Sequence, residues 1–321
     1  MFKKVRTQVT ALPGSTAYCD TVIGYASSLS FPMTVVVIGA TSQIGHFLLQ
    51  RLFHADIDVW AASRCKRAPQ RGVTWVRACL PQTLPLPDAP VQAIVSFAPL
   101  DALATWLQQF EQAPALRLVA TSSMSVLTKR TSEDVAERAL VARLKAGEEN
   151  VIAQCQRLGI AWTLLRPTLI YGAGMDKSLT PIARRAMRMG IFPIPMAQGL
   201  RQPVHADDIA LAVMQALQTP AASKQILQIG GGERLPYQIM FERVRRSLSQ
   251  WTLPLWLPHV LLCWLPVLLP RARGPVSRLQ QDLIADNGPL LRLLGVQPRP
   301  FHPQPLMWQA STDSVSSQLP Q

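Results

Sequence analysis

The sequence predicts an α/β fold, a doubly wound parallel sheet followed by a smaller C-terminal region. Three observations carry that expectation. Apolar, β-branched runs alternate with segments whose apolar residues recur at helical spacing, from Thr34 to Pro167. A glycine-bearing turn, Gly39–Gly45 (GATSQIG), joins the first such run to the first helical segment. With 321 residues, 48% hydrophobic and 16% charged, the chain can bury the core of one large domain or two smaller ones.

Taken in order, residues 34–39 (TVVVIG) read as a buried strand and 43–53 as an amphipathic helix. Strands are expected over 57–64 and 73–80. A Pro-rich connection, PQTLPLPDAP, then leads to a strand over 91–98. Residues 100–112 read as a helix, 116–123 as a fifth strand, 132–158 as a long helix, and 160–167 as a sixth strand ended by Pro167. Beyond this point the alternation loosens. SLTPIARRAMRMG, HADDIALAVMQAL and PYQIMFERVRRSL read as helices, with a short strand in QILQIGG. The implied organisation is an extension over 1–32, a dinucleotide-binding domain over 33–172 and a substrate-binding region over 173–305. Residues 205–230 should pack back on the first domain, and 306–321 should form a disordered tail. Residues 1–32 carry Lys3, Lys4 and Arg6 without an apolar run of signal length. They are expected to be either a loose extension or a segment upstream of a true start at Met33.

A glycine turn between strand and helix lets the backbone approach a pyrophosphate and aims free helix N–H groups at its charge. Gly39, Thr41, Ser42, Gln43, Ile44 and Gly45 are the candidate cradle, and the pattern is of the Rossmann type. An NAD-preferring site places a carboxylate at the end of the second strand. Here that place holds Ser63 and Arg64, followed by Lys66 and Arg67. A guanidinium beside a hydroxyl suits a 2′-phosphate, so NADP is the expected cofactor over NAD; a solvated basic turn is the plain alternative.

Lys and Arg number 32 against 19 Asp and Glu, a formal charge of +13. That excess favours anionic partners, whether phosphorylated small molecules or an anionic membrane surface. No Lys/Arg tract interleaved with aromatics occurs, so nucleic acid is not expected. Five cysteines without a CxxC pair and five histidines without ligand spacing point to reduced thiols, a cytoplasmic setting and no metal.

Several segments, in order, resemble the extended and atypical short-chain dehydrogenases/reductases, the NAD-dependent epimerase/dehydratase group. VVVIGATSQIG resembles the cofactor loop of that family, with Ser42 where a glycine usually stands. SFAPL (96–100) resembles a segment lining the cofactor, implying roles for Phe97, Ala98 and Pro99. VATSSMSV (119–126) resembles the catalytic-serine strand and places Ser123 at the serine. LLRPTLIYG (164–172) resembles the strand, with Pro167, that leads to the substrate region. RQPVHADDIA (201–210) and LGVQPRPF (294–301) resemble two further family elements.

One departure stands out. The family uses a Tyr-x-x-x-Lys pair, the tyrosine exchanging a proton with substrate and the lysine lowering its pKa and holding the nicotinamide ribose. Lys145, with Glu149 four residues on, fits the lysine, but Val141 occupies the tyrosine position. Tyr171, Asp176 and Lys177 are the candidate replacements, while His205, Asp207 and Asp208 read as caps and backbone anchors. The resemblance also implies that Arg201 meets an anionic substrate, and that the helices over 100–112 and 132–158 form a homodimer bundle. Arg184, Arg185 and Arg188 make a basic helix face.

Residues 251–270 are apolar and carry no formal charge, near the length of a membrane span. Pro254, Pro258, Pro266 and Pro270 would interrupt such a helix. A hydrophobic cap on the substrate region is expected, with a peripheral membrane contact as the alternative. Two functions follow. One is an NAD(P)-dependent oxidoreductase or epimerase acting on a nucleotide-linked or phosphorylated sugar. The other is a non-catalytic NADP(H)-binding scaffold or redox sensor.

Overall fold

In a computed structural model of the chain, seven parallel strands form the central sheet. The structure describes residues 33–82, 84–129, 134–258, 279 and 281–309, so the expectations for 1–32 and 259–270 lie outside the described residues. The sheet strands are β1 (Thr34–Ile38), β2 (Asp58–Ser63), β3 (Val73–Arg77), β4 (Ala93–Ser96), β5 (Arg117–Thr121), β6 (Ala161–Pro167) and, after an excursion, β11 (Gln225–Ile229). Their order is β11-β6-β5-β4-β1-β2-β3. The direction of winding reverses between β1 and β4, and ligands of such sheets bind at the carboxyl ends of the strands beside that point.

Helix α1 (Gln43–His54) follows β1, α2 (Leu100–Leu107) follows β4, and a short turn of helix, α3 (Ser125–Thr128), precedes the long α4 (Val135–Leu158). Each helix has a local cause. Asp134 caps α4 by accepting the Ala136 N–H at 2.8 Å, and Gly159, at φ 71°, ends it in the left-handed conformation that glycine adopts without strain. Helix α2 stops at Leu107, short of the expected 112, because the N–H groups of Gln109 and Phe110 turn back to Trp106 and Leu107 carbonyls three residues away.

The sheet is covered on both faces. Val35, Val37 and Val95 pack with Leu48 and Leu52 of α1 and with Ile209 and Val213 of α6 (Ala206–Gln218). On the other face Val36, Ile94 and Leu118 pack with Leu103 and Trp106 of α2 and Val151 and Cys155 of α4. Because strands buried on both faces read as unbroken apolar runs, the sequence pattern was legible.

The remaining elements build a smaller region beyond β7 (Ile170–Tyr171): α5 (Leu179–Met189), β8 (Ile191–Pro195), β9 (Leu200–Arg201), β10 (Val204–His205), β12 (Leu235–Pro236), α7 (Tyr237–Arg246), β13 (Leu253–Leu257) and α8 (Gly288–Leu294). Its core gathers Leu179, Ala183, Phe192, Met240, Phe241 and Phe301. Residues 205–230 do pack on the first region, through α6 and β11.

One expectation is corrected. The tail does not begin at 306: Trp308 is fully buried, its indole N–H donates to Ser247 Oγ at 2.8 Å, and its carbonyl accepts from Arg184 Nε. Residues 253–257, at the start of the apolar stretch, run as β13, parallel to β8, and the rest of that stretch lies outside the described residues. Among the described residues, no helix is long and apolar enough to cross a membrane.

Candidate functional site

At the switch point the glycine turn is built as a cradle. Gly39 takes φ 76°, and a Cβ there would sit 3.2 Å from Phe97 Cβ. At Gly45 a Cβ would meet the Ala40 carbonyl oxygen at 2.3 Å, so no side chain fits. Ser42, in place of the usual glycine, caps α1: its Oγ accepts the Gly45 N–H at 3.1 Å, and its own N–H donates to the Gly39 carbonyl. That cap takes up one helix N–H. Gln43 adds a buried Oε1 that has no hydrogen-bond partner, an acceptor awaiting a donor. These features fit a dinucleotide whose phosphates sit on the α1 N-terminus.

The neighbouring strand ends converge on the same edge. Phe97 donates its N–H to the Ile38 carbonyl, which lays Phe97 and Ala98 against Gly39, and Pro99 opens α2. Ser63 ends β2 opposite Arg77, with its Oγ accepting the Cys65 N–H. Arg64 and Lys66 are exposed there, Arg67 is half-buried, and the strand end carries no acid. Ser123 leaves β5 beside Pro167, because the N–H of Met124 donates to the Pro167 carbonyl. Its Oγ accepts the Ser125 N–H and bonds to Ser125 Oγ, both at 3.1 Å.

The register of α4 differs from the expectation. The glutamate that turns inward is Glu148, its side chain 4% exposed, and it grips Arg166 of β6 through two charge-assisted hydrogen bonds, one of them 2.8 Å. Glu149 points to solvent and pairs loosely with Lys145 at 3.8 Å, the lysine side chain being 67% exposed. If the buried glutamate marks the family position, the residue four before it is Leu144 and the residue four before that is Leu140. Neither leucine can move a proton. Lys145 lies one turn before Glu148, at the edge of the buried face, with its side chain 67% exposed.

Tyr171 lies inside the smaller region. It is 1% exposed, packed edge-on against His205 and Phe301, and burial pushes its phenol well above the ordinary range. It is a core residue, not a proton donor at a site mouth. Asp176 accepts the N–H groups of Ser178, Leu179 and Thr180 at the start of α5, so it caps that helix. His205 Nδ1 accepts the Asp207 N–H, while Asp207 and Asp208 clamp Arg299 at 2.7 Å and Asp207 also holds Arg51. The segments VHADD and PRPF thus form one junction.

Beside the Ser123 turn opens a cleft of about 400 Å³, lined among others by Ser125, Lys129, Lys177, Arg201, Tyr237 and Asp282. Arg201 is buried, donates to the carbonyls of Leu200 and Gln281, and lies 4.6 Å over the Tyr237 ring. Lys129, mostly buried, pairs with Glu137 of α4 at 3.2 Å. Sequence reading missed Lys129 and Glu137, which carry no motif, and passed over Ser125 beside Ser123 in VATSSMSV. The basic face of α5 divides: Arg184 is spent on the carbonyls of Trp308 and Gly174, while Arg185 and Arg188 are exposed.

Residues 110–230 match the model of the NAD dependent epimerase/dehydratase family. No curated protein matches the chain. Among solved structures, UDP-glucuronic acid 4-epimerase from Bacillus cereus in complex with NAD is similar at TM-score 0.67 and 15% identity, covering 89% of this chain and 99% of that one. UDP-glucose 4-epimerase with UDP-glucose from Thermotoga maritima superposes at TM-score 0.61 and 13% identity, covering 89% and 99%. The terminal R domain of the myxalamid biosynthetic pathway does so at 0.62 and 18%, covering 89% and 90%. At these identities the likeness is one of fold. The stretch matched by that family model, residues 110–230, holds β5, α4, β6 and the junction at His205.

Proposed function

We propose that this protein is an NAD(P)-dependent oxidoreductase or epimerase that acts on a nucleotide-linked or phosphorylated sugar and prefers NADP. The single observation that carries the reading is the pairing of the Gly39–Gly45 cradle with a cationic cleft at the same sheet edge. Arg64 and Lys66, with no acid at the end of β2, support the 2′-phosphate. Lys129, Lys177 and Arg201 support a phosphorylated ligand in the cleft, in keeping with the UDP-glucose carried by the similar Thermotoga maritima structure. The NADP supplies hydride chemistry when bound. The chain contributes Ser125, Thr128, Lys129, Lys177 and Tyr237 as protic groups lining the cleft, with Ser123 bonded to Ser125 and Glu137 paired with Lys129 behind them.

A second reading, a protein that binds NADP(H) and a ligand without turnover, is favoured by Leu140 and Leu144 in the register set by Glu148. One experiment separates the two. The protein is incubated with NADP and either UDP-glucose or UDP-glucuronic acid, with absorbance and chromatography following reduced nicotinamide and sugar products. The first reading predicts product formation that Lys129→Met abolishes. Calorimetric binding of both ligands without product selects the second reading, and no binding of either sugar nucleotide overturns the ligand class.

A further inference from the structure

We infer that the β8–β13 edge is a docking surface for an anionic lipid bilayer. The two strands pair in parallel, Leu253 opposite Ile191 and Leu257 opposite Pro195. One side of the pair is core, since Phe192 and Ile194 are fully buried against α5 and α7. The other side is open. Ile191, Leu253 and Leu255 are exposed on that side, and Trp251 (78% exposed), Trp256, Met189 and Met196 are exposed around the ribbon. Seven exposed large apolar side chains on and around one short two-stranded ribbon exceed the scatter of single apolar residues that a protein surface normally carries.

The identity of the occupant follows from charge and residue type. Arg188 and Met189 run directly into Ile191, and the Leu253 N–H donates to the Gly190 carbonyl, so exposed cations abut the apolar ribbon. Arg185 is exposed one turn earlier on α5, and Arg246 lies at the end of α7. Over residues 177–196 and 237–258 the only acid is Glu242, which Arg246 neutralises. Tryptophan at an apolar–polar boundary flanked by arginine is the pattern that settles at headgroup level, where rings bury and cations meet lipid phosphates.

A protein partner adding a strand fits less well. Because Leu253 turns its N–H toward β8, the next residue, Pro254, falls on the outer edge, where proline has no N–H to offer. A second copy would bring Arg188 toward like charge.

The test is co-sedimentation of the full chain with phosphatidylcholine vesicles, with and without roughly one-third phosphatidylglycerol. Partitioning onto the anionic vesicles should exceed that onto neutral ones by about tenfold and fall with added salt. Trp251→Ser/Trp256→Ser and, separately, Arg185→Glu/Arg188→Glu should each lower it by about tenfold. Both double variants change exposed side chains, and thermal unfolding confirms that they fold. Equal partitioning of wild type and variants, or none to either vesicle, overturns the proposal. So does light scattering that shows a lipid-free dimer dissociated by Trp251→Ser/Trp256→Ser. None of these outcomes depends on whether the cleft binds a nucleotide-linked sugar.

Discussion

Replacing Glu148 by leucine, and Glu149 by leucine in a parallel variant, probes the register of α4. Glu148 lies almost wholly inside the protein, and its carboxylate holds Arg166, itself only 15% exposed, in a two-pronged hydrogen bond. Removing one partner of such a pair strands the other charge in a poorly solvated place, a cost of about 3–5 kcal/mol. Glu149 meets Lys145 at 3.8 Å with both side chains about two-thirds exposed. An exposed pair of that kind is worth roughly 0–0.5 kcal/mol. Glu148→Leu should therefore lower the urea midpoint sharply at constant slope and take roughly 5–10 °C off Tm, while Glu149→Leu leaves both nearly unchanged. Equal losses in the two variants would refute the reasoning.

Two further outcomes follow from the same geometry. His205 is held at a pKa of about 4, first because burial disfavours the cation and second because Arg299 repels it, with Asp207 pulling the other way. The unfolded chain takes up this proton near pH 6.5 and the folded chain does not. Stability is therefore lost as pH falls from about 6.5 to about 4, on the order of 3 kcal/mol from this group. His205→Asn keeps a capping acceptor and should flatten the pH profile of the unfolding free energy in that window; an unchanged profile would contradict the assignment. Trp308→Ala removes a fully buried indole and its bond to Ser247, and should cost about 3–5 kcal/mol in chemical denaturation, where a disposable tail would cost nothing.

Local signals were the ones that sequence could transmit. The GATSQIG turn was legible because strand, glycine and helix cap lie within a dozen residues, and each constrains backbone conformation directly. The strands from Thr34 to Pro167 were legible because both sheet faces are covered, which forces continuous apolar runs. The α4 register was not legible. Glu148 and Glu149 are chemically identical neighbours, and only the inward turn toward Arg166, eighteen residues away, distinguishes them. Tyr171 read as a site-mouth residue because its loop position was visible, whereas the rings of His205 and Phe301 that enclose it come from distant sequence. Trp308 was missed for the same reason: its anchor, Ser247, lies on the far side of the apolar stretch. Lys129 carried no motif because its meaning comes from Glu137 and the cleft, both assembled only on folding.

The most direct test of the account is a titration of the full chain with NADPH and with NADH, following reduced-nicotinamide fluorescence, for wild type and Arg64→Ala. The account predicts saturable binding of both nucleotides, tighter for NADPH. In Arg64→Ala that preference should shrink by about tenfold, the size of one exposed charge-assisted contact to a phosphate. Binding of neither nucleotide would contradict the central claim and leave the Gly39–Gly45 turn as a feature of the fold alone. Tight NADH binding that ignores Arg64 would keep the cradle and remove the 2′-phosphate site.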